Sequence, residues 1–398
     1  MNIALISDSF PPERISSANQ LKDLALELKK QGVNITVIVA SPYINQNWII
    51  EDFNNIPVLR LRTFKIRDVS NFKRGVYEFL MPFLMLKNYY LSPLKSQIWN
   101  SLIWYSPSIF LSLFIRFLKI SEGGKKYLII RDIFPEWAYD LGLIKKRILF
   151  FLFKSVANYQ NSIADIIGIQ ARGNSEYFKQ WEEKHPGRLH VLNNWLSEST
   201  NVKCSIDISK TKLSGKKIFV YAGNIGIAQD LFRIIDLAEL LKNEKDIGFL
   251  FVGRGSTLKR LIEVANFKNL SNIIFFDEID SSEIPGLYNQ CSVGLLALDF
   301  RHKTQNIPGK FLSYMQYGLP VFACVNKNNE LVDLINKNRV GRVVTSDSIF
   351  SIKEQSILLL NEISNDFDKK INLRCKKLFK RNFSTERAAN QIMKALLQ

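Results

Sequence analysis

A chain of 398 residues is longer than one hydrophobic core usually holds, so two domains of roughly 200 residues each are expected. The 46% hydrophobic content excludes wholesale disorder, and four dispersed cysteines (Cys204, Cys291, Cys324, Cys375) and three histidines fall at no metal-ligand spacing, which argues against a zinc site. A formal net charge of +17 calls for an anionic partner, and unpaired thiols suit a cytoplasmic protein.

The apolar run 3–6 reads as a first strand and ends in a Ser7-Asp8-Ser9-Phe10-Pro11-Pro12 loop; it is too short, and lacks the basic flank, for a secretory signal. Residues 17–30 show helical spacing through Leu21, Leu24 and Leu28, closed by Gly32, and 33–40 is a β-branched strand. Strand, helix, strand opens a parallel α/β sheet. The next hundred residues, 51–150, hold sixteen Lys/Arg against eight Asp/Glu, together with bulky apolar stretches at 76–86 and 148–153. Basic helices carrying large apolar side chains read as a face for an anionic membrane surface, with burial in a large domain as the other reading. No nucleic-acid module is recognisable, so nucleic acid is not expected as the partner. Residues 101–118 carry Arg116 and are interrupted by Ser106-Pro107-Ser108, so no bilayer-spanning segment is expected.

Residues 102–105 read as a strand, followed after Pro107 by an apolar helix to about 118; 127–130 is the next strand, with Arg131 and Asp132 at its carboxyl end. In open α/β sheets ligands sit beyond that end, so Asp132 and Glu136 are candidates for a base or for orienting a hydroxyl; capping beside Pro135 is the structural alternative. Phe134 and Trp137 offer rings for a sugar or for core packing. Strands at 166–170 and 190–192 end this half. A polar stretch, 197–217, reads as the connection between domains, placing them at 1–200 and 208–383, with a C-terminal helix at about 384–398 available to pack back on the first.

The alternation then restarts. A strand at 217–221 leads into Gly223-Asn224-Ile225-Gly226-Ile227-Ala228-Gln229-Asp230; a helix spans 231–241, and a strand at 248–252 runs into Gly253-Arg254-Gly255 before a helix at 258–265. Further strands are read at 273–276, 293–298 and 321–324, the last followed by Asn326-Lys327-Asn328-Asn329-Glu330. Glycines between strand and helix let a phosphate approach the backbone, although Gly223-Asn224-Ile225-Gly226 also describes an ordinary tight turn and is not the dinucleotide fingerprint. The basic run Arg301-His302-Lys303-Thr304-Gln305-Asn306 enters Pro308-Gly309-Lys310 and a helix closed by Gly318. The first amides of such a helix have no internal partner and carry partial positive charge, so Gly309, Lys310, Arg301 and His302 describe an anion site, with a capped surface helix bearing incidental basic residues as the other reading. With Arg254, Asn329 and Glu330 on neighbouring loops, the pattern is that of a nucleotide-diphosphate pocket. No Walker A motif and no nucleophile elbow is present.

These halves, the Gly223-Asn224-Ile225-Gly226 turn, and the run Pro308-Gly309-Lys310 with Tyr314-Met315 and Gly318-Leu319-Pro320-Val321 resemble the GT-B glycosyltransferases of family GT4. Tyr105-Ser106-Pro107-Ser108-Ile109-Phe110, the 128–137 segment, Leu192-Asn193-Asn194-Trp195 and Arg301 through Lys310 are similar, more narrowly, to bacterial N-acetyl-L-fucosamine transferases of O-antigen assembly. The resemblance implies two Rossmann-like doubly wound domains facing each other across a cleft. It also implies transfer of a sugar from a nucleotide-sugar donor, taken as UDP-linked, to an undecaprenyl-diphosphate-linked glycan at the inner face of the cytoplasmic membrane, with no cofactor or metal. Gly223, Asn224, Gly226, Gln229, Arg254, Arg301, Asn306, Gly309, Lys310, Asn329 and Glu330 would then bind donor, and His302, Asp132 and Arg131 would serve the chemistry. Gln305 and Ser313 stand where many members of the family carry two glutamates. A non-hydrolysing UDP-sugar epimerase and an inactive scaffold of the same architecture are the alternatives.

Overall fold

The computed structural model describes residues 1–13, 15–106, 108–140, 142–198, 203–299 and 307–398. The chain divides into two compact units, one of Met1–Trp195 with Thr385–Gln398, the other of Leu196–Ser384.

In the first unit the strands are β1 (Asn2–Ser7), β2 (Asn34–Ser41), β3 (Trp48–Phe53), β4 (Ile56–Arg62), β5 (Trp99–Ser106), β6 (Ile120–Ile130), β7 (Ile166–Ile169) and β8 (Leu189–Val191). They form one sheet in the order β3-β4-β2-β1-β5-β6-β7-β8, parallel except for the β3–β4 pair. The order reverses direction between β1 and β5, the point at which open α/β sheets place ligands. The β3–β4 hairpin has no counterpart among the sequence expectations. Its two-residue loop, Asn54-Asn55, takes positive φ at both positions (52° and 62°), a conformation asparagine tolerates and hairpin twist favours.

The Ser16–Lys30 helix buries Leu21, Leu24, Ala25 and Leu28 against one face of this sheet. The Thr385–Leu397 helix joins the same core through Ala388, Ala389, Ile392, Ala395 and Leu396, packing on Ser16–Lys30 and on β6. Trp195 Nε1 donates to Gln20 O at 2.9 Å, and Gln391 Nε2 donates to Val191 O at 3.0 Å. On the other face Met81, Met85, Tyr89, Trp104 and Phe114 form the second core layer. The apolar helix expected to run from Pro107 to about 118 is shorter: only Leu111–Ile115 is helical, and the chain turns at once into the eleven-residue β6, of which the expected 127–130 strand is the buried end. No helix among the described residues is long and apolar enough to cross a membrane.

The second unit contains β9 (Lys217–Ala222), β10 (Ile247–Val252), β11 (Ile273–Phe276), β12 (Val293–Ala297), β13 (Val321–Cys324) and β14 (Gly341–Val344), ordered β11-β10-β9-β12-β13-β14 and all parallel. Cores on both faces bury the central strands completely, which is why they read as continuous apolar runs rather than alternating ones. Direction reverses between β9 and β12. The basic run 369–381 lies along the Lys370–Asn382 helix, which buries Ile371, Cys375, Leu378 and Phe379 and leaves its charges on the other side. The four cysteines are free, and burial pushes the Cys324 and Cys375 thiols up to about 12.

Candidate active site

The loops following β9 and β10 continue the parallel pairing of their strands. Gly223 N donates to Val252 O at 2.8 Å and Ile225 N to Arg254 O at 2.8 Å. The two backbones run so close that a Cβ on Gly253, at φ 144°, would lie 2.1 Å from Gly223 O. Glycine is required at this position by chain-on-chain packing, before any ligand is considered. Asn224 and Gln229 hold the turn from inside: Gln229 Oε1 accepts from Gly226 N at 3.0 Å and from Asn224 Nδ2 at 3.3 Å, while Tyr221 Oη donates to Asn224 O at 2.5 Å.

Against this turn packs the Gly309–Tyr317 helix, closed by Gly318 in the left-handed conformation (φ 74°). Tyr314 lies on Gly294 of β12, where any Cβ would come within 2.6 Å of its ring, and its Oη donates to Leu295 O at 2.9 Å. One turn earlier on the same face, Lys310 reaches over the Tyr221 ring, 4.8 Å from the centroid, and against Gly223, whose missing Cβ leaves room for Lys310 Cε and Nζ at 2.9 and 3.0 Å. No carboxylate among the described residues pairs with this ammonium. Burial lowers its pKa from 10.5 to about 8. The N-cap residue, Pro308, offers no side-chain acceptor, so among the described residues no side chain caps the first amides of the helix beside the lysine.

Ala222, Gly223, Gly253, Ile279, Tyr288 and Lys310 line a cavity of about 260 Å³ at this edge. Ser313 lines it too, at a position where the resemblance calls for an acid, and so does Glu278, which the sequence did not single out. Arg254 is 82% exposed and held by Glu278 at 2.8 Å. Asn329 caps the Glu330–Asn338 helix through Leu331 N at 3.0 Å, and Glu330 is that helix's first residue. Gly223 and Lys310 are thus brought together, Asn224, Gly226 and Gln229 build the adjoining turn, and Gly309 lies exposed at the helix start. Arg301, His302 and Asn306, with Gln305, lie outside the described residues.

In the first unit Arg131 follows β6. Its Nη1 donates to Tyr105 Oη at 3.0 Å and to Gln20 Oε1 at 3.2 Å, and its Nη2 to Ser16 Oγ at 3.3 Å. Burial raises the Asp132 carboxyl, with Arg131 opposing. Glu136 is paired with Lys154, and Phe134 packs on Phe153 at 5.3 Å between centroids, within a small aromatic cluster. The sequence reading passed over Asp8, Glu13, Arg67 and Arg74. Asp8 follows β1 at the reversal point of the sheet, a signal the strand–helix–strand opening contained; the arginines, 59 residues from Asp8 in the case of Arg67, had no local signal. Among the described residues no cluster of His, Cys, Asp and Glu could hold a metal ion.

Residues 205–374 match the family model described as Glycosyl transferases group 1. The chain is similar to the probable glycosyltransferase WbjE of Pseudomonas aeruginosa, at 25% identity over 59% of this chain; the aligned part spans 60% of that relative's length. It is also similar to WcaI of Escherichia coli (strain K12), named for glycosyl transfer in colanic acid biosynthesis, at 23% identity over 80% of this chain and 82% of WcaI. Among solved structures, sucrose-phosphate synthase from Thermosynechococcus elongatus superposes with a TM-score of 0.70 at 13% identity, covering 99% of this chain and 97% of that one. Anabaena HepE, in complex with UDP and glucose, gives 0.63 at 14%, covering 100% and 99%. The chain therefore carries a Glycosyl transferases group 1 domain at residues 205–374, within a pair of parallel-sheet α/β units that have the GT-B fold.

Proposed function

We propose that this chain is a glycosyltransferase of bacterial surface-polysaccharide assembly that moves a sugar from a UDP-linked donor to a lipid-diphosphate-linked glycan. One observation carries the reading: Lys310, a half-buried ammonium with no carboxylate partner among the described residues, stands over a glycine turn beside helix-start amides that no described side chain caps. A buried cation without a counter-charge is costly, and a diphosphate supplies the missing charge. In transfer the donor's anomeric bond breaks toward the diphosphate, and Lys310 with the Gly309 and Lys310 amides stabilises the charge that develops there. Arg301, His302 and Asn306 complete the donor side, and Arg131 and Asp132 serve the acceptor.

The UDP moiety is favoured by the fold shared with the UDP-bound HepE structure, and the polysaccharide context by WcaI's name. N-acetyl-L-fucosamine is the donor sugar we favour, on the sequence resemblance. A peripheral position on the inner face of the cytoplasmic membrane fits the first unit's surface. There Phe72, Phe79 and Phe83 of the Asn71–Tyr90 helix are exposed, as are Ile148, Phe151 and Leu152 of the Arg147–Ser162 helix. The aromatic contacts Phe83–Phe79–Phe110–Phe153 join the two helices, and Lys145, Lys146 and Arg147 flank them, with Arg147 5.7 Å above the Phe151 ring. Apolar side chains beside basic ones suit anionic headgroups.

The test is incubation with a panel of UDP-sugars, UDP-N-acetyl-L-fucosamine included, and an undecaprenyl-diphosphate-linked acceptor, with and without chelator. Acceptor-dependent UDP release with one added sugar, insensitive to chelator, is expected. Acceptor-free conversion to an epimeric sugar identifies an epimerase instead, and absence of UDP affinity in calorimetry identifies a scaffold.

A further inference from the structure

Tyr221 is the next-to-last residue of β9 and is 1% exposed, in the core layer that also holds Phe219, Phe249 and Phe251. It alone of these four rings carries a hydroxyl, and that hydroxyl is spent on the turn that follows, donating to Asn224 O at 2.5 Å. The nitrogen of the same peptide, Ile225 N, donates to Arg254 O at 2.8 Å, so the peptide is fixed at both ends. The face of the ring meets Lys310, whose Nζ is 4.8 Å from the centroid. One side chain thus touches both parts of the donor cavity, the glycine turn through its oxygen and the ammonium through its π face.

An aromatic face and a carboxylate hold a lysine in different ways. A carboxylate cancels the charge and would repel a diphosphate; a ring attracts the ammonium through its quadrupole, adds no net charge, and leaves the N–H groups on the far side free to donate. Burial pushes the Tyr221 hydroxyl well above its usual range, so the ring stays neutral. Lysine is a point charge on a flexible four-carbon stem, and fixing it before the donor arrives removes an ordering cost that binding would otherwise meet. The other titratable groups around the cavity do not hold it. Glu278 is engaged by Arg254 at 2.8 Å, and burial also pushes the Tyr288 and Tyr314 hydroxyls well up. Arg301, His302 and Lys303 lie outside the described residues.

We propose that Tyr221 is the positioning residue of the donor site: its ring holds the Lys310 ammonium over the Gly223 turn without neutralising it, and its hydroxyl locks that turn, so both meet the diphosphate already in place. The proposal rests on the glycosyltransferase reading for its ligand. A tyrosine that only fills the core differs from this in one respect: changing the charge distribution of the ring at constant shape would leave Lys310 unmoved.

The full chain carrying Tyr221→Phe, or a ring-trifluorinated phenylalanine at the same position, tests it. The two rings are close in size, but fluorination removes the negative face on which the ammonium rests. Lys310 is titrated by NMR through its Cε signal, identified as the one missing from Lys310→Met. In the wild type and in Tyr221→Phe the midpoint is expected at about 8, and the trifluorinated ring should lower it by about one unit, the scale of a desolvated cation–π contact. The charged fraction at pH 8 then falls from about one half to about one in eleven, so UDP affinity in calorimetry should drop about fivefold more at pH 8 than at pH 6. Tyr221→Phe should keep the midpoint and weaken UDP binding alike at both pH values, by up to about tenfold, the scale of one hydrogen bond. Equal Lys310 midpoints in the two variants overturn the part given to the ring, and wild-type UDP affinity in Tyr221→Phe overturns the part given to the hydroxyl. A wild type that binds no UDP refutes the donor reading alone, because the lysine titration does not depend on it.

Discussion

Replacing Lys310 by methionine removes one positive charge and keeps most of the stem that packs on Gly223 and Tyr221. In the free protein burial lowers this lysine from 10.5 to about 8, and about 2.5 units at 1.36 kcal/mol each put the cost of holding the charged form at roughly 3 kcal/mol. The sign follows from linkage. Between about 8 and 10.5 the unfolded chain binds the proton that the folded chain has lost, so stability rises with pH through that window, and the cost is carried in full below it. At pH 7 the methionine variant escapes this cost and loses a cation–π contact of about 0.5–2 kcal/mol, so it should melt higher than wild type. UDP binding should move the other way. Cutting one partner from a buried charge pair costs about 2–5 kcal/mol, which corresponds to about 30-fold to 4,000-fold in Kd. In the wild type, affinity should fall above about pH 8, and binding there should take up a proton, visible as calorimetric heats that differ between buffers of different ionisation enthalpy. In the variant both effects should vanish. Undiminished UDP affinity in Lys310→Met refutes the phosphate assignment; a lower melting temperature refutes the burial argument.

Two glycines separate packing from ligand approach. Gly253→Ala places a Cβ 2.1 Å from Gly223 O at φ 144°, so strain of about 1–3 kcal/mol and overpacking of about 1–3 kcal/mol should appear as a large fall in Tm; an unchanged Tm shows that the two loops are not in contact. Gly309→Ala meets nothing within 4 Å and should stabilise by about 0.4–1 kcal/mol while weakening UDP binding; a stabilised variant with wild-type affinity removes that amide from the donor site. On the first unit, Ile148→Glu with Leu152→Glu alters side chains that are 77% and 59% exposed, so the fold should be kept while sedimentation with phosphatidylglycerol vesicles at low salt is lost; undiminished sedimentation excludes this face as the membrane contact.

Much of the fold was legible because its strands are buried on both faces and its helices carry a regular apolar stripe. The runs at 217–221, 248–252, 273–276 and 321–324 correspond to β9, β10, β11 and β13, and Ser16–Lys30 begins one residue before the expected helix. The β3–β4 hairpin escaped because β3 is an edge strand with Glu51 and Asp52 exposed, leaving no apolar run to read. Gly223 and Gly253 were assigned to phosphate approach from their context, yet Gly253 is required first by the backbone of Gly223 and Gly223 by the Lys310 side chain, contacts between distant segments that no local pattern encodes.

The sequence by itself determined the parallel α/β class, the strand–turn–helix at Lys310 and the apolar, basic character of the 51–150 region, since all three follow from local periodicity, turn residues and charge. Tertiary structure alone decided that the last helix belongs to the first unit and that Asp8 meets Arg67 from another strand's loop. These depend on which distant segments burial brings together, and burial is a property of the assembled sheet that neighbouring residues along the chain do not carry.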